Sequence, residues 1–270
     1  MKEIITCLSL ILSLSCALAQ EVKIVPVVLK DKSIELYIHN QTFQGQSVLL
    51  DCELKGMTST EKLPITKFLE VGEKVLFTTL APKDIYKPFG YGTSILYVEG
   101  DVQAKHDDNY VYLLPYPKGT SYNIDQGYLG NKTHENLYAL DFNMDVGAEI
   151  TAIRDGIVTK VIERYDKGCP DESCEQYNNL VLVTHEDGSI ANYAHLKKNG
   201  AIVKVGDRVK AGDLIGLSGA TGWASGPHLH LEVYTASWDG KITLPVNYYL
   251  DEKTTGEPQV NQVYAQKRLK

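Results

Sequence analysis

The sequence predicts an all-β protein built as two units, and three observations carry that expectation. Apolar and polar residues alternate in short runs bounded by turn residues, the mark of half-buried strands. The 17 Tyr, with abundant Val, Ile and Thr, favour strand over helix. No apolar stripe at helical spacing lasts beyond a turn or two. A chain of 270 residues is long enough for two domains, each with a core of its own.

The opening residues read as a secretory signal peptide, residues 1–19. Lys2 precedes an apolar run from Ile4 to Leu14, and Ala17-Leu18-Ala19 supplies small residues for cleavage after Ala19, leaving Gln20 first. The run is too short for a comfortable membrane span. A lipoprotein reading would centre on Cys16, but Ser13 stands where an aliphatic residue is expected. No second hydrophobic stretch follows, so no integral membrane segment is expected after cleavage. The expected location is outside the cytoplasm: periplasmic, cell-surface or secreted.

Lys2 and Glu3 cancel within the leader, so the mature chain keeps the net charge of −7. That balance lacks the basic footprint of a nucleic-acid binder. Cys169 and Cys174 bracket a polar, acidic loop, where a local disulfide suits an oxidising compartment. Zinc binding by this pair is disfavoured, because no second Cys pair accompanies it. Cys52 lies in an apolar run and is expected to be a buried, inert thiol.

Residues 20–113 read as a β-sandwich-like domain of immunoglobulin-like size. Val22–Leu29, Ser33–His39, Gln46–Cys52, Lys74–Leu80 and Ser94–Val98 are its legible strands. Lys83–Pro88 reads as a loop or a single helical turn. His39 and His106 have no partner at ligand spacing, so the domain is expected to act as a targeting or spacer module. Tyr112–Gly119, with two Pro and a Gly, reads as the join.

Residues 114–250 form the second unit, with a tail at 251–270 that carries no motif. Its legible strands are Glu149–Ile153, Gly156–Ile162, Asn179–Thr184 and Ile190–His195. Val203–Gly216 repeats Val-Gly-Asp-x-Val as Ala-Gly-Asp-x-Ile, each Gly-Asp making a tight turn. This is similar to the hammerhead turn of the barrel-sandwich in biotinyl and lipoyl carriers. The modifiable Lys of those carriers has no counterpart here, so the repeat speaks for scaffold.

The chemistry gathers around Gly226–Tyr234. After Gly and Pro, strict alternation puts His228, His230 and Glu232 on one strand face and Leu229, Leu231 and Val233 on the other. Two imidazoles and a carboxylate on one face suit metal binding. The further candidates are His134 and Asp141, seven apart; His195, ending an alternating strand; and Ser218–Gly226, a glycine-rich lead-in to His228. Arg154-Asp155-Gly156 reads as a scaffold turn. His185 reads as a loop cap, and Tyr193 as either core or groove wall. Trp223 is a candidate substrate contact, and Glu232 either supports a ligand or is solvated.

These motifs, in this order, resemble the catalytic domain of the lysostaphin-type zinc metallopeptidases, which cut peptide cross-links in bacterial peptidoglycan. The resemblance spans about Tyr122 to Tyr234 and includes Tyr-Ala-His-Leu, the Val-Gly-Asp turn and Thr-Gly-x-x-Ser-Gly-Pro-His-Leu-His-Leu-Glu. It implies one zinc ion per chain on His134, Asp141 and His230, with His195 and His228 as catalytic histidines. Many members carry the first His four residues before the Asp, where this chain has Leu137; His134 fits a branch with longer spacing. Peptidoglycan peptides are the implied partners. The other readings are a non-catalytic domain that binds peptidoglycan or regulates an amidase, and a structural or carrier β-domain. Zinc in catalytic sites keeps three protein ligands and an open position, and lowers the pKa of its water to about 7. No HExxH sequence supplies a Glu base, so a histidine must move the proton.

Overall fold

Strand follows strand throughout the computed structural model, which describes residues 21–268. The expected leader, with Cys7 and Cys16, lies outside the described residues. The first unit contains β1 (Val22–Val28), β2 (Ile34–Asn40), β3 (Gln46–Lys55) and β4 (Met57–Ser59), then β5 (Ile65–Leu69), β6 (Lys74–Pro82) and β7 (Gly90–Glu99). They form two antiparallel sheets, ordered β1-β2-β6-β4 and β5-β3-β7. The alternation of β2 explains the sandwich: Leu36 and Ile38 point inward with Val48, Leu50, Leu69, Phe77 and Leu80 from both sheets. Cys52 is half-buried rather than buried, because it sits on the partly solvated end of β3.

The second unit is built on β8 (Val111–Tyr112), β9 (Ser121–Gln126), β10 (Ala139–Phe142), β11 (Glu149–Thr151), β12 (Gly156–Ile162) and β13 (Gly168–Cys169). After a short 3₁₀ turn at Glu172–Tyr177 come β14 (Leu180–Thr184), β15 (Ile190–Ala194), β16 (Leu196–Ala201), β17 (Arg208–Val209) and β18 (Leu214–Ser218). β19 (Gly222–Trp223), β20 (Leu229–Ser237), β21 (Gly240–Thr243), β22 (Asn247–Tyr249), β23 (Thr255–Gly256) and β24 (Val263–Ala265) complete the order. The main sheet runs β17-β12-β14-β15-β20-β10-β9-β24, with β21 also paired to β20. One face carries the core: Leu140 and Phe142, Val181 and Val183, Ala191 and Tyr193, Leu229, Leu231 and Val233. The opposite face of the same strands carries Asn192, His230 and Glu232 among apolar neighbours such as Leu182 and Ile190.

Two segments differ from the sequence reading. Tyr112, Leu114 and Tyr116, read as the join, are fully buried in the second core. We therefore place the passage between units upstream, in the strand-free stretch 101–109. The tail is part of the sheet: β24 pairs with β9, and Gln266 is buried where its amide donates to the Leu114 carbonyl at 2.9 Å. Neither was legible, since both depend on long-range pairing rather than local pattern. The two Gly-Asp turns are alike, as the repeat predicts: Asp207 and Asp213 each accept from a backbone N–H three residues upstream, at 3.0 and 2.8 Å. Among the described residues no helix is long and apolar enough to cross a membrane.

Candidate metal and catalytic centre

Register decides which side chains meet. Asp141 on β10 pairs with His230 on β20, and His230 pairs in turn with Ala194 on β15. Asp141 and His230 therefore share the face turned away from the core. His134 arrives from the loop before β10 and is completely buried. A turn closed by Leu137 N–H on the His134 carbonyl at 2.9 Å takes up the additional residues between His134 and Asp141.

Three lone-pair atoms converge. His134 Nε2 lies 3.2 Å from Asp141 Oδ1 and 3.2 Å from His230 Nδ1, and His230 Nδ1 lies 3.1 Å from the same carboxylate oxygen. Ligands about 2.05 Å from a tetrahedral zinc ion stand about 3.3 Å apart, so the donor set and its spacing fit one ion. The second contacts of each ligand are in place. His134 Nδ1 donates to the Gly127 carbonyl at 3.1 Å, which leaves Nε2 bare, and Gln126 Nε2 donates to Asp141 Oδ2 at 3.1 Å. Burial opposes ionisation of Asp141, but the adjacent His134 and His230 imidazoles hold its carboxyl well below the usual range.

Beside this group stand His195 and His228, with ring centroids 4.6 Å apart. His195 joins β15 to β16 in a left-handed conformation at φ 62°. That conformation is uncommon for a non-Gly residue, and it is secured from two sides. Asn178 Oδ1 accepts from the His195 N–H at 2.9 Å, and His195 Nδ1 donates to the Thr221 carbonyl at 2.7 Å. Burial, and then the neighbouring imidazoles of His228 and His230, push the His195 pKa down to about 3. Nδ1 of His228 donates to the Gly226 carbonyl at 2.9 Å, and its Nε2 lies 3.8 Å from Asp141 Oδ1. The Gly219–His228 bridge sets this position, and only glycine fits there: a Cβ on Gly219 would lie 2.4 Å from the Lys197 nitrogen.

All five residues singled out by sequence thus meet in one place. The other candidates separate. Tyr193 is core, its hydroxyl accepting from the Ile153 N–H at 2.8 Å. His185 caps its loop as read, donating to the Asp155 carbonyl at 2.9 Å, and Arg154 is bound in an ion pair with Asp187 at 2.6 Å. Glu232 is buried and accepts from Asn192 and Lys241, not from a ligand histidine. Trp223 is partly exposed in the glycine-rich loop, which pairs with β13 beside the Cys169–Cys174 disulfide. Sequence reasoning missed Gln126, Asn178, Thr221 and the Gly127 carbonyl. Two of these act through backbone carbonyls, which leave no trace in residue type.

The site and sheet define a β protein with a His2Asp group that could hold a metal ion, flanked by two further histidines. Residues 135–242 match the model of Peptidase family M23. The glycyl-glycine endopeptidase ALE-1 of Staphylococcus capitis is 37% identical over 147 residues, covering 53% of this chain and 35% of that protein. The peptidoglycan DD-endopeptidase ShyC of Vibrio cholerae is 40% identical over 93 residues, covering 34% of this chain and 18% of that protein. Among solved structures, the catalytic domain of lysostaphin from Staphylococcus simulans aligns at 29% identity with a TM-score of 0.32, covering 53% of this chain and 93% of that domain. The second unit is thus similar to Peptidase family M23 over residues 135–242, and the chain spans well under half the length of these two curated relatives.

Proposed function

We propose that the protein is an exported zinc metalloendopeptidase that hydrolyses peptide bonds in the cross-links or stem peptides of bacterial peptidoglycan. One observation carries this reading: His134, Asp141 and His230 converge at 3.1–3.2 Å beside the His195–His228 pair. The similarity to the two named endopeptidases supports the substrate class, and the leader-like opening supports export. On this reading the first unit, up to residue 100, is the targeting or spacer module, and the segment 251–268 braces the catalytic unit that begins at about residue 110.

The three ligand atoms would hold one zinc ion, which supplies Lewis acidity for the scissile carbonyl and a lowered pKa for water. The chain does the rest. Gly127 and Gln126 fix the ligand lone pairs, so the site is organised before substrate arrives. His195 is neutral at pH 7, and its Nδ1–H is committed to Thr221, so Nε2 can only accept; it takes the proton from attacking water. His195 then returns that proton from Nε2 to the leaving amine, and we assign the less buried His228 to the substrate side of the centre.

Elemental analysis of the purified mature protein tests the centre. One zinc per chain, lost in His134→Ala, is the expected result, followed by release of cleaved peptides from cross-linked peptidoglycan fragments. A wild type that takes up no zinc on reloading would turn the reading to a binding domain.

A further inference from the structure

The face that carries the metal group does not end at His230. Two residues further along β20 stands Glu232, opposite Asn192 of β15, and these two floor a groove of about 480 Å³. Val98, Glu99, Lys160 and Lys241 are among its walls. The first unit stands across its far end. Glu99 is ion-paired to Lys160 at 3.0 Å, and the next residue, Gly100, packs so closely that a Cβ there would lie 2.9 Å from Ala236 and 3.2 Å from Ile190. A peptide lying along this face from the metal group therefore has room for a residue at Glu232 but no straight path beyond it.

The floor is chemically incomplete. Glu232 is 1% exposed, and its Oε2 has no hydrogen-bond partner; the Oδ1 of Asn192 has none either. Two buried acceptor oxygens without donors are costly to maintain. Glu232 Oε1 and Asn192 Nδ2 bond each other at 2.9 Å, so the two unpartnered oxygens belong to adjoining head groups. The kind of group they suit is already displayed there: the ammonium of Lys241, on a 41% exposed side chain, sits on Glu232 Oε1. Lys241 reaches the buried carboxylate from the surface, so it leaves only where another cation takes its place.

Resting on the peptidase reading of the neighbouring site, we propose that this groove is a specificity subsite for a free amino group of the substrate, which displaces Lys241 and binds between Glu232 and Asn192. The subsite selects a peptide whose residue beside the scissile bond bears a primary amine, and the first unit limits how far that peptide extends. Glu232 and Asn192 touch substrate in this account; Lys241 acts as a displaceable occupant.

The test uses the full mature chain and a soluble cross-linked peptidoglycan fragment, with its amines free or acetylated. Binding is measured by calorimetry after chelation has stopped turnover, and KM is measured on the zinc-loaded protein. Acetylation is expected to weaken binding and raise KM at least tenfold, with kcat changed less. Lys241→Ala should tighten binding of the free-amine fragment severalfold and leave the acetylated one unaffected. Glu232→Gln should remove the discrimination. Because Glu232 is buried, Lys241→Ala is the variant that tests the idea even if the other misfolds. Equal affinity for both fragments in wild type and in Lys241→Ala would overturn the subsite. Amine-dependent binding without hydrolysis would instead sustain the subsite and overturn the peptidase reading.

Discussion

Two clusters of buried polar residues sit on the second unit, and they are built on opposite principles. At the His134–Asp141–His230 group, lone pairs converge on one point with no internal donor to satisfy them all. At the Arg154–Asp187–His185 cluster, every charge meets its opposite. Arg154 donates to Asp187 at 2.6 Å and to the Tyr112 hydroxyl at 3.1 Å, and lies 4.0 Å over the Tyr110 ring. Asp187 also accepts from Asp107 N–H at 3.1 Å and from the Ser189 hydroxyl at 2.6 Å. Burial and histidine content are shared, so neither identifies a functional site. Convergence of unsatisfied acceptors does, because only an added cation can complete it.

The sharpest way to break this comparison is to alter each cluster and read both chemistry and stability. His195→Asn keeps a residue that tolerates the left-handed backbone while removing the acceptor. Turnover should fall by about 10²- to 10⁴-fold with zinc content unchanged. Peptide release and metal analysis on one preparation check it, and retained activity would remove His195 from the mechanism. Arg154→Met should do the reverse. It removes the cation from the half-buried Asp187, which keeps its Ser189 and Asp107 hydrogen bonds, and losing a charged hydrogen bond costs about 1.5–3 kcal/mol. Denaturant unfolding should register that loss, while activity per folded molecule and zinc content stay at the wild-type level.

The pH dependence separates the clusters as well. Burial pushes the pKa of His185 down to about 4, and Nδ1 donates to the Asp155 carbonyl. The folded protein then binds fewer protons than the unfolded chain between the ordinary value near 6.5 and 4. Stability from this group is fully present above pH 6.5 and is lost as pH falls toward 4, on the order of 3 kcal/mol. Burial likewise opposes ionisation of Asp187, yet its hydrogen bonds to Ser189, Asp107 and Arg154 hold it well below the usual carboxylate range, so it adds acid sensitivity of the same sign. His185→Gln should flatten the slope of unfolding free energy between pH 7 and 4. An unchanged slope would assign the acid sensitivity elsewhere.

Much of this was legible in the sequence, for a physical reason. Period-2 alternation is local, so β12, β14, β15 and β20 could be read directly, and with them the shared face of His228 and His230. His134 and Asp141 were found through the resemblance, because a loop residue converging on a strand residue leaves no periodic signal. The burial of Tyr112 and the docking of β24 were not legible, since each is decided by a partner more than a hundred residues away in the chain. Glu232 shows the limit most clearly. Its position on the metal face was read correctly, but its bonds to Asn192 and Lys241 depend on strand register, and register is not written in one strand.

The smallest expected effect concerns the loop between the clusters. The disulfide closes Cys169 to Cys174, a short loop whose closure contributes about 2 kcal/mol in the chain-entropy account. Its importance for the site is positional. The loop ends at Asn178, whose Oδ1 receives the His195 N–H, while the strand opened by Gly168 and Cys169 pairs with Gly222 and Trp223 next to the Thr221 carbonyl that orients the His195 ring. Both contacts that hold the left-handed turn of His195 thus rest on the disulfide-bonded edge. A Cys169→Ser/Cys174→Ser variant should lose a severalfold share of kcat, with KM and zinc content little changed, since His134, Asp141 and His230 are anchored on other strands. If zinc falls with kcat, the edge supports the metal group as well. A variant with wild-type kcat would mean that Asn178 and Thr221 keep their places without the disulfide.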